Sequence, residues 1–167
     1  RNDSERTFEF SGTLSPEIYY KKYLNVATPS IFYRVASGYG EDEFRAALKA
    51  QSSNLNMLVG ATSSTQKVRL NLARAYEIAS EFKELAVGGV CIAERHGKKG
   101  DEPQRMREKI AAGAKFFISQ AIFDAQLASK FLEDCAAAKI SEPIFLTFST
   151  AGNAKTLEFI KWLGVSV

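Results

Sequence analysis

Short apolar runs alternate with longer amphipathic segments along this 167-residue chain, and that alternation limits the folds it can adopt. Several runs are almost continuously apolar, as parallel strands covered on both faces are. The segments between them carry apolar residues at helical spacing. Repeated strand–helix alternation predicts an α/β fold with a parallel sheet, either open or closed into a barrel. The six predicted strands cover residues 7–10, 31–35, 56–60, 88–92, 115–119 and 143–148.

Helix positions are predicted from capping residues and apolar spacing. Ser15 is an expected N-cap, with Pro16 at the first helical position. From the fifth helix, Leu127, Phe131 and Leu132 are expected to face the core. The first predicted helix begins at residue 16, and the others cover residues 41–50, 68–82, 103–112, 123–138 and 155–163.

The composition is that of an ordinary globular domain, with 46% hydrophobic and 25% charged residues, and its length predicts one domain over residues 1–167. A net charge of +3 without clustered Lys and Arg argues against a nucleic-acid partner. The densest basic cluster, Arg95 with Lys98 and Lys99, is expected to be a solvated loop, with an anion site as the alternative. No stretch reaches the roughly 18 apolar residues of a membrane span.

The two cysteines, Cys91 and Cys135, fall in a predicted strand and a predicted helix. Their spacing suits neither a metal site nor a disulfide framework. Both are expected to be small core residues in a reducing compartment, either the cytoplasm or the mitochondrial matrix. The sequence begins at Arg1 rather than Met, so a removed targeting peptide is left open.

Polar residues gather after two successive apolar strands, between residues 88 and 124. The only histidine, His96, follows the strand at 88–92, and Gln120 follows the strand at 115–119. The carboxyl ends of parallel strands are where β/α folds build their sites. An amide there offers both donors and an acceptor, so we expect Gln120 to face a site. His96 is either a site residue or a surface residue.

Two loops of small residues also follow predicted strands. In the loop from Gly60 to Ser64, Gly60 and Thr62 are candidate cofactor contacts, because small residues let a ligand approach the backbone and hydroxyls bind phosphate. A plain turn is the alternative. The loop from Ser149 to Asn153 is expected to cap the last helix rather than to bind phosphate. These loops alone also permit an unrelated barrel enzyme that acts on a phosphorylated substrate.

Four motifs follow one another in the second half of the chain: Gly88-Gly89-Val90-Cys91-Ile92-Ala93-Glu94-Arg95-His96, Ser119-Gln120, Leu146-Thr147-Phe148 and the run from Thr156 to Val165. Together they resemble the methylenetetrahydrofolate reductase family, whose fold is a (β/α)8 TIM-type barrel. The resemblance spans residues 7–167 and implies a barrel that is abbreviated or only partly present, because complete barrels usually need about 200 residues or more. Missing segments are expected around Leu24 to Pro29 or beyond Val167, since a barrel short of strands has open edges.

The resemblance also implies a catalytic and a substrate-binding residue. Glu9, within Phe8-Glu9-Phe10, matches the family's acid that protonates a folate nitrogen. Gln120 matches a residue that contacts folate and the nicotinamide donor. The alternative for Glu9 is an exposed or ion-paired strand residue. At the carboxyl ends of the strands, Glu9, Ala61, His96 and Gln120 are expected to converge.

Cofactor contacts are implied for His96, Glu102 and Lys109, although Glu102 and Lys109 with Arg105 also fit a solvated helix face. The family's Leu-Arg-Gly-Asp run is Leu58-Val59-Gly60-Ala61 here, and Ile92 replaces a tyrosine that stacks on the flavin. FAD is therefore doubtful, and NADH or NADPH is the expected hydride donor.

Two functions stay open. The first is a methylenetetrahydrofolate reductase-like oxidoreductase that uses a nicotinamide to reduce 5,10-methylenetetrahydrofolate to the 5-methyl form, with a folate-type small molecule as its partner. The second is a catalytically degenerate barrel that serves as a structural or assembly subunit among protein partners. Retention of Glu9, His96 and Gln120 favours the enzyme; the lost flavin residues and the short length favour the subunit.

Overall fold

A computed structural model describes residues 14–24, 29–50, 55–61, 67–97, 100–150 and 152–162. Five parallel strands alternate with helices and follow chain order in the sheet, which is an α/β arrangement consistent with part of a TIM-type barrel, as the sequence predicts. The strand predicted at 7–10 lies outside the described residues. The strands are β1 Ile31–Val35, β2 Leu55–Val59, β3 Ala86–Cys91, β4 Phe116–Ile122 and β5 Ile144–Phe148.

Helix starts follow their capping residues. The Ser15 hydroxyl accepts from Ile18 N at 3.3 Å, and Pro16 takes the first helical position, as predicted. The third helix begins at Leu72 rather than residue 68, because the Asn71 side chain caps it there. The helices are α1 Pro16–Tyr19, which continues as a π-helix over Tyr20–Leu24, α2 Glu41–Lys49, α3 Leu72–Ser80, α4 Glu102–Ala111, α5 Ala125–Ala137 and α6 Ala154–Trp162.

The chain divides into two compact units within β3, between Gly88 and Gly89. In unit 1, residues 1–88, β1 and β2 pair in parallel without a register shift. Arg34 of β1 is buried; its Nε donates to Asn56 Oδ1 at 2.8 Å, and its guanidinium pairs with Glu17 at 2.5 Å. These partners compensate for the burial of a charge in an otherwise apolar strand. A single domain over residues 1–167 stays a prediction.

Unit 2, residues 89–167, packs α4 and α5 around a core that includes both cysteines. They are free thiols, and burial raises the pKa of Cys91 to about 12 and that of Cys135 to about 11. The prediction of small core cysteines is confirmed. The prediction that Leu132 faces the core is wrong, because the buried stripe of α5 runs through Ala128, Phe131 and Cys135 and leaves Leu132 38% exposed.

Among the described residues, no helix combines the length and the apolar character that crossing a membrane requires.

Candidate functional site

Gln120 lies at a β-bulge in unit 2. The parallel pairing of β4 and β5 joins Ile118 to Phe145 and then Ala121 to Thr147. Between these pairs β4 holds two residues, Ser119 and Gln120, whereas β5 holds one. An extra residue in one strand is a bulge, a feature that changes the direction of a side chain and is common beside active sites.

The side chain of Ser119 closes the bulge. Its Oγ accepts a hydrogen bond from Thr147 N at 2.8 Å, and Ser119 itself is only 6% exposed. The hydroxyl oxygen therefore satisfies a backbone donor at the place where the regular ladder is interrupted.

Gln120 is partly exposed, and two apolar residues near it in β4 and β5 are exposed in part as well. Buried and partly exposed residues alternate up to the bulge: Phe117 and Ser119 are buried, while Ile118 and Gln120 are partly exposed. Opposite Ile118 stands Phe145, which is 54% exposed. We call these three exposed or partly exposed residues, Ile118, Gln120 and Phe145, the open face of β4–β5. It combines one amide with an aromatic ring and an aliphatic side chain, which suits a flat heterocyclic ligand.

His96 directly follows a short 3-10 turn, Ala93–Arg95, after β3, and its ring is held from two sides. Its Nδ1 accepts from Glu102 N at 3.3 Å, so a neutral ring carries its proton on Nε2 and donates to Asp134 Oδ2 at 2.9 Å. The hydrogen bond from Lys130, followed by that from His96, holds the pKa of Asp134 below its usual value. Both ring nitrogens are thus bound to protein groups.

Glu102, the first residue of α4, is fully buried. Its carboxylate accepts from Arg95 Nε and Nη2, both at 2.7 Å, and from Ile92 N at 3.2 Å. The bidentate pair with arginine is a strong arrangement for a buried carboxylate. A solvated helix face is therefore wrong for Glu102. A solvated loop is wrong for Arg95, because Arg95 pairs with this buried carboxylate, while Lys98 and Lys99 lie outside the described residues.

Lys109 of α4 is directed into unit 2. Its Nζ donates to Val90 O at 2.5 Å, and burial lowers the pKa of the amine, although the nearby Glu102 opposes that shift. Lys109 is therefore not a solvated residue either. His96, Glu102 and Lys109, three predicted cofactor contacts, each have partners within unit 2.

The remaining predicted site residues are only partly described. Gly60 directly follows β2, and a Cβ added there would lie 3.9 Å from Leu72 Cδ2, an ordinary contact, so packing alone does not demand glycine. Glu9 and Thr62 lie outside the described residues, and the expected convergence of Glu9 and Ala61 with His96 and Gln120 stays a prediction. Within the described part of the chain, no three His, Cys, Asp or Glu side chains group as a metal site would.

In the last loop, Asn153 Oδ1 accepts from Thr156 N at 2.8 Å, which confirms the predicted N-cap of α6.

The sequence did not reveal three residues that shape this region. Ser119 was not among the predicted site residues, although a hydroxyl directly before Gln120 was a usable signal. Glu94 is buried three positions after the end of β3, where a charged residue close to an apolar strand was also a signal. Asp134 gave no signal, because it is 38 positions from His96 along the chain.

The chain is similar in sequence to a known protein family and in structure to a folate-binding protein. The sequence model of methylenetetrahydrofolate reductase matches residues 93–167. No curated protein sequence matches. Among the matching solved structures is an uncharacterized protein from Clostridium thermocellum that binds two copies of 5-methyl-5,6,7,8-tetrahydrofolic acid, with 39% identity and a TM-score of 0.81. The alignment covers 96% of this chain and 58% of that protein, so this chain spans little more than half of its length.

Proposed function

We propose, on the premise that residues 93–167 belong with the methylenetetrahydrofolate reductase family, that this chain binds a reduced folate in its 5-methyl or 5,10-methylene form. The observation that carries this proposal is the partial exposure of Gln120 at the bulge in β4, two residues after Ile118, whose partner in β5 is Phe145. An amide donates to and accepts from the edge of a pterin ring, and Phe145 supplies an apolar surface for its face.

The solved relative supports this choice of ligand. That protein binds 5-methyl-5,6,7,8-tetrahydrofolic acid, and it matches nearly the whole of the present chain. A reduced folate is therefore the first small molecule to test.

The reaction we propose is reduction of the methylene group with NADH or NADPH as the donor. The methylene carbon bridges two folate nitrogens. Protonation of one nitrogen lets its bond to carbon break, and hydride from the dihydronicotinamide then reduces the remaining iminium carbon to a methyl group. Glu9 would supply the proton, and Gln120 would orient the folate.

We propose further that the reaction takes place without a flavin, because the residues present do not fit one. Ile92 has no ring to stack, and its N–H donates to Glu102. His96 and Lys109 are bound to Asp134 and to Val90 O. Loss of ring stacking on the flavin costs on the order of 1 kcal/mol. Loss of a charged hydrogen bond to the flavin costs about 1.5–3 kcal/mol. Together the two losses weaken flavin binding by roughly two to three orders of magnitude.

The alternative function is a catalytically degenerate barrel that acts as a structural or assembly subunit. One observation favours it: the polar residues after β3 form internal bonds rather than standing free for a cofactor. The open face of β4–β5 favours ligand binding instead, and we therefore rank folate binding first.

Binding is tested by calorimetric titration of 5-methyltetrahydrofolate into the wild type, Gln120→Ala and Gln126→Ala. Gln126 is exposed on α5 and serves as the matched control. We expect the wild type and Gln126→Ala to bind alike and Gln120→Ala to bind about tenfold more weakly, as loss of one or two hydrogen bonds implies. Absence of binding by the wild type would overturn the proposal.

Reduction is tested with 5,10-methylenetetrahydrofolate, NADH or NADPH, and no added flavin. We expect Glu9→Gln to lose most activity, while Glu158→Gln, an exposed control, keeps it. Folate binding without turnover in any variant would support the degenerate barrel. The visible absorption of a bound flavin in the purified protein would contradict the flavin-free mechanism.

A further inference from the structure

One side-chain hydrogen bond joins β4 to β5 at the bulge. Thr147 N directly follows Leu146, the one residue of β5 opposite Ser119–Gln120, where the regular parallel ladder is interrupted. Its donor is satisfied by Ser119 Oγ at 2.8 Å. Ser119 is almost fully buried, so water does not compete freely for this bond.

The position of that hydrogen bond connects it to Gln120. Ser119 precedes Gln120 directly, and Thr147 pairs with Ala121, the residue that directly follows Gln120. The backbone on both sides of Gln120 is therefore fixed to β5. Because a bulge sets the direction of the side chain that it carries, fixing its two ends fixes the direction in which the Gln120 side chain leaves the backbone.

We propose that Ser119 is a positioning residue for Gln120, and that its hydroxyl oxygen holds the bulge in the form that presents the Gln120 amide to a folate. This inference rests on the proposed folate binding. Removal of the hydroxyl leaves Thr147 N without its acceptor, and the segment around Gln120 then gains alternative conformations. The amide has to be ordered again when the ligand binds, and affinity falls.

A double-mutant cycle separates positioning from a general structural effect. The variants are Ser119→Ala, Gln120→Ala and the two combined, with 5-methyltetrahydrofolate as the titrated ligand. We expect Ser119→Ala to weaken binding about tenfold when Gln120 is present and to have almost no further effect in the Gln120→Ala background. Equal losses in both backgrounds would overturn the proposal, because Ser119 would then act independently of Gln120.

Rescue and control variants sharpen the result. Ser119→Thr keeps the acceptor oxygen on a side chain suited to strands and is expected to bind like the wild type. Ser119→Cys is close in size but a weak acceptor, so it should bind like Ser119→Ala, and it replaces that variant if the alanine protein does not fold. Ser129→Ala, on the exposed face of α5, is the matched control and should change nothing.

A measurement without ligand tests the positioning even if folate binding fails. In NMR spectra of the free protein, the Thr147 amide proton should exchange faster in Ser119→Ala, and the side-chain amide signals of Gln120 should move toward averaged positions. If the wild type binds no folate but both changes occur, the proposed function fails and the positioning role stands. If the Gln120 signals are the same in the wild type and Ser119→Ala, the positioning role is wrong.

Discussion

At the scale of single residues, Glu102 organises the loop after β3. It is fully buried at the start of α4 and accepts three hydrogen bonds, two from Arg95 and one from Ile92 N. A carboxylate at the first position of a helix is also stabilised by the helix dipole. Its position therefore couples the end of β3 to the beginning of α4.

Replacement of Glu102 by glutamine should destabilise the protein. The Arg95 charge would lose its partner, and the buried amide could not reproduce the bidentate pair. We expect a loss of about 2–3 kcal/mol in the free energy of unfolding, somewhat less than for a fully buried pair, because Arg95 is partly exposed. Glu108→Gln, on the exposed side of the same helix, is the control and should stay within about 0.5 kcal/mol in urea unfolding.

The carboxylate of Asp134 should make stability depend on acid pH. Hydrogen bonds from Lys130 and His96 lower its pKa in the folded state relative to the unfolded value of about 3.9. A depressed carboxyl pKa contributes stability that is present above the unfolded pKa and is lost as the pH falls through the folded one. Asp134→Asn should therefore reduce the acid dependence of the urea midpoint below about pH 4, whereas the neighbouring Glu133→Gln should leave it nearly unchanged.

At the scale of elements, α5 depends on its N-cap. The Asp124 side chain accepts from Gln126 N at 2.9 Å and from Leu127 N at 3.1 Å. Asp124→Ala should lower the free energy of unfolding by about 1 kcal/mol, and Asp124→Asn, which keeps an acceptor oxygen, by less. Equal losses for the two variants would show that the negative charge at the helix start matters more than the cap.

The comparison of β4 and α5 shows why sequence predicts some features and not others. Apolar runs located β1 and β4 because burial of a strand leaves a pattern within a few residues. The end of β4 was predicted at residue 119, yet the strand continues to Ile122, because a bulge interrupts the pattern that marks a strand. Leu132 was misassigned because it lies only one position from the buried stripe of α5.

The site was less predictable than the fold, because its contacts join residues that are far apart in the sequence and leave no local pattern. The predicted position of Gln120 at the end of an apolar run was a local signal, although the structure places the residue within β4, at the bulge. The partners of His96 and Lys109 come from residues 38 and 19 positions away, so no spacing rule reveals them. Chemistry that depends on distant contacts requires the folded chain.

At the scale of the whole molecule, β3 is the element that the two units share. Ala86 to Gly88 belong to unit 1, where Tyr76 Oη donates to Gly88 O at 3.1 Å, and Gly89 to Cys91 belong to unit 2. The single-domain prediction therefore implies one cooperative unfolding transition.

Two sets of probes test this cooperativity. Cys91 and Cys135 report on unit 2, because burial raises the pKa of both thiols and only the thiolate reacts, so labelling requires unfolding. Amide hydrogen exchange of β1 and β2 reports on unit 1. We expect both sets to give the same urea midpoint.

Tyr76→Phe, which removes a hydrogen bond worth about 1 kcal/mol, should shift both midpoints equally, whereas the exposed control Tyr33→Phe should shift neither. A shift in the exchange of β1 and β2 with no change in thiol labelling would mean that the two units unfold independently.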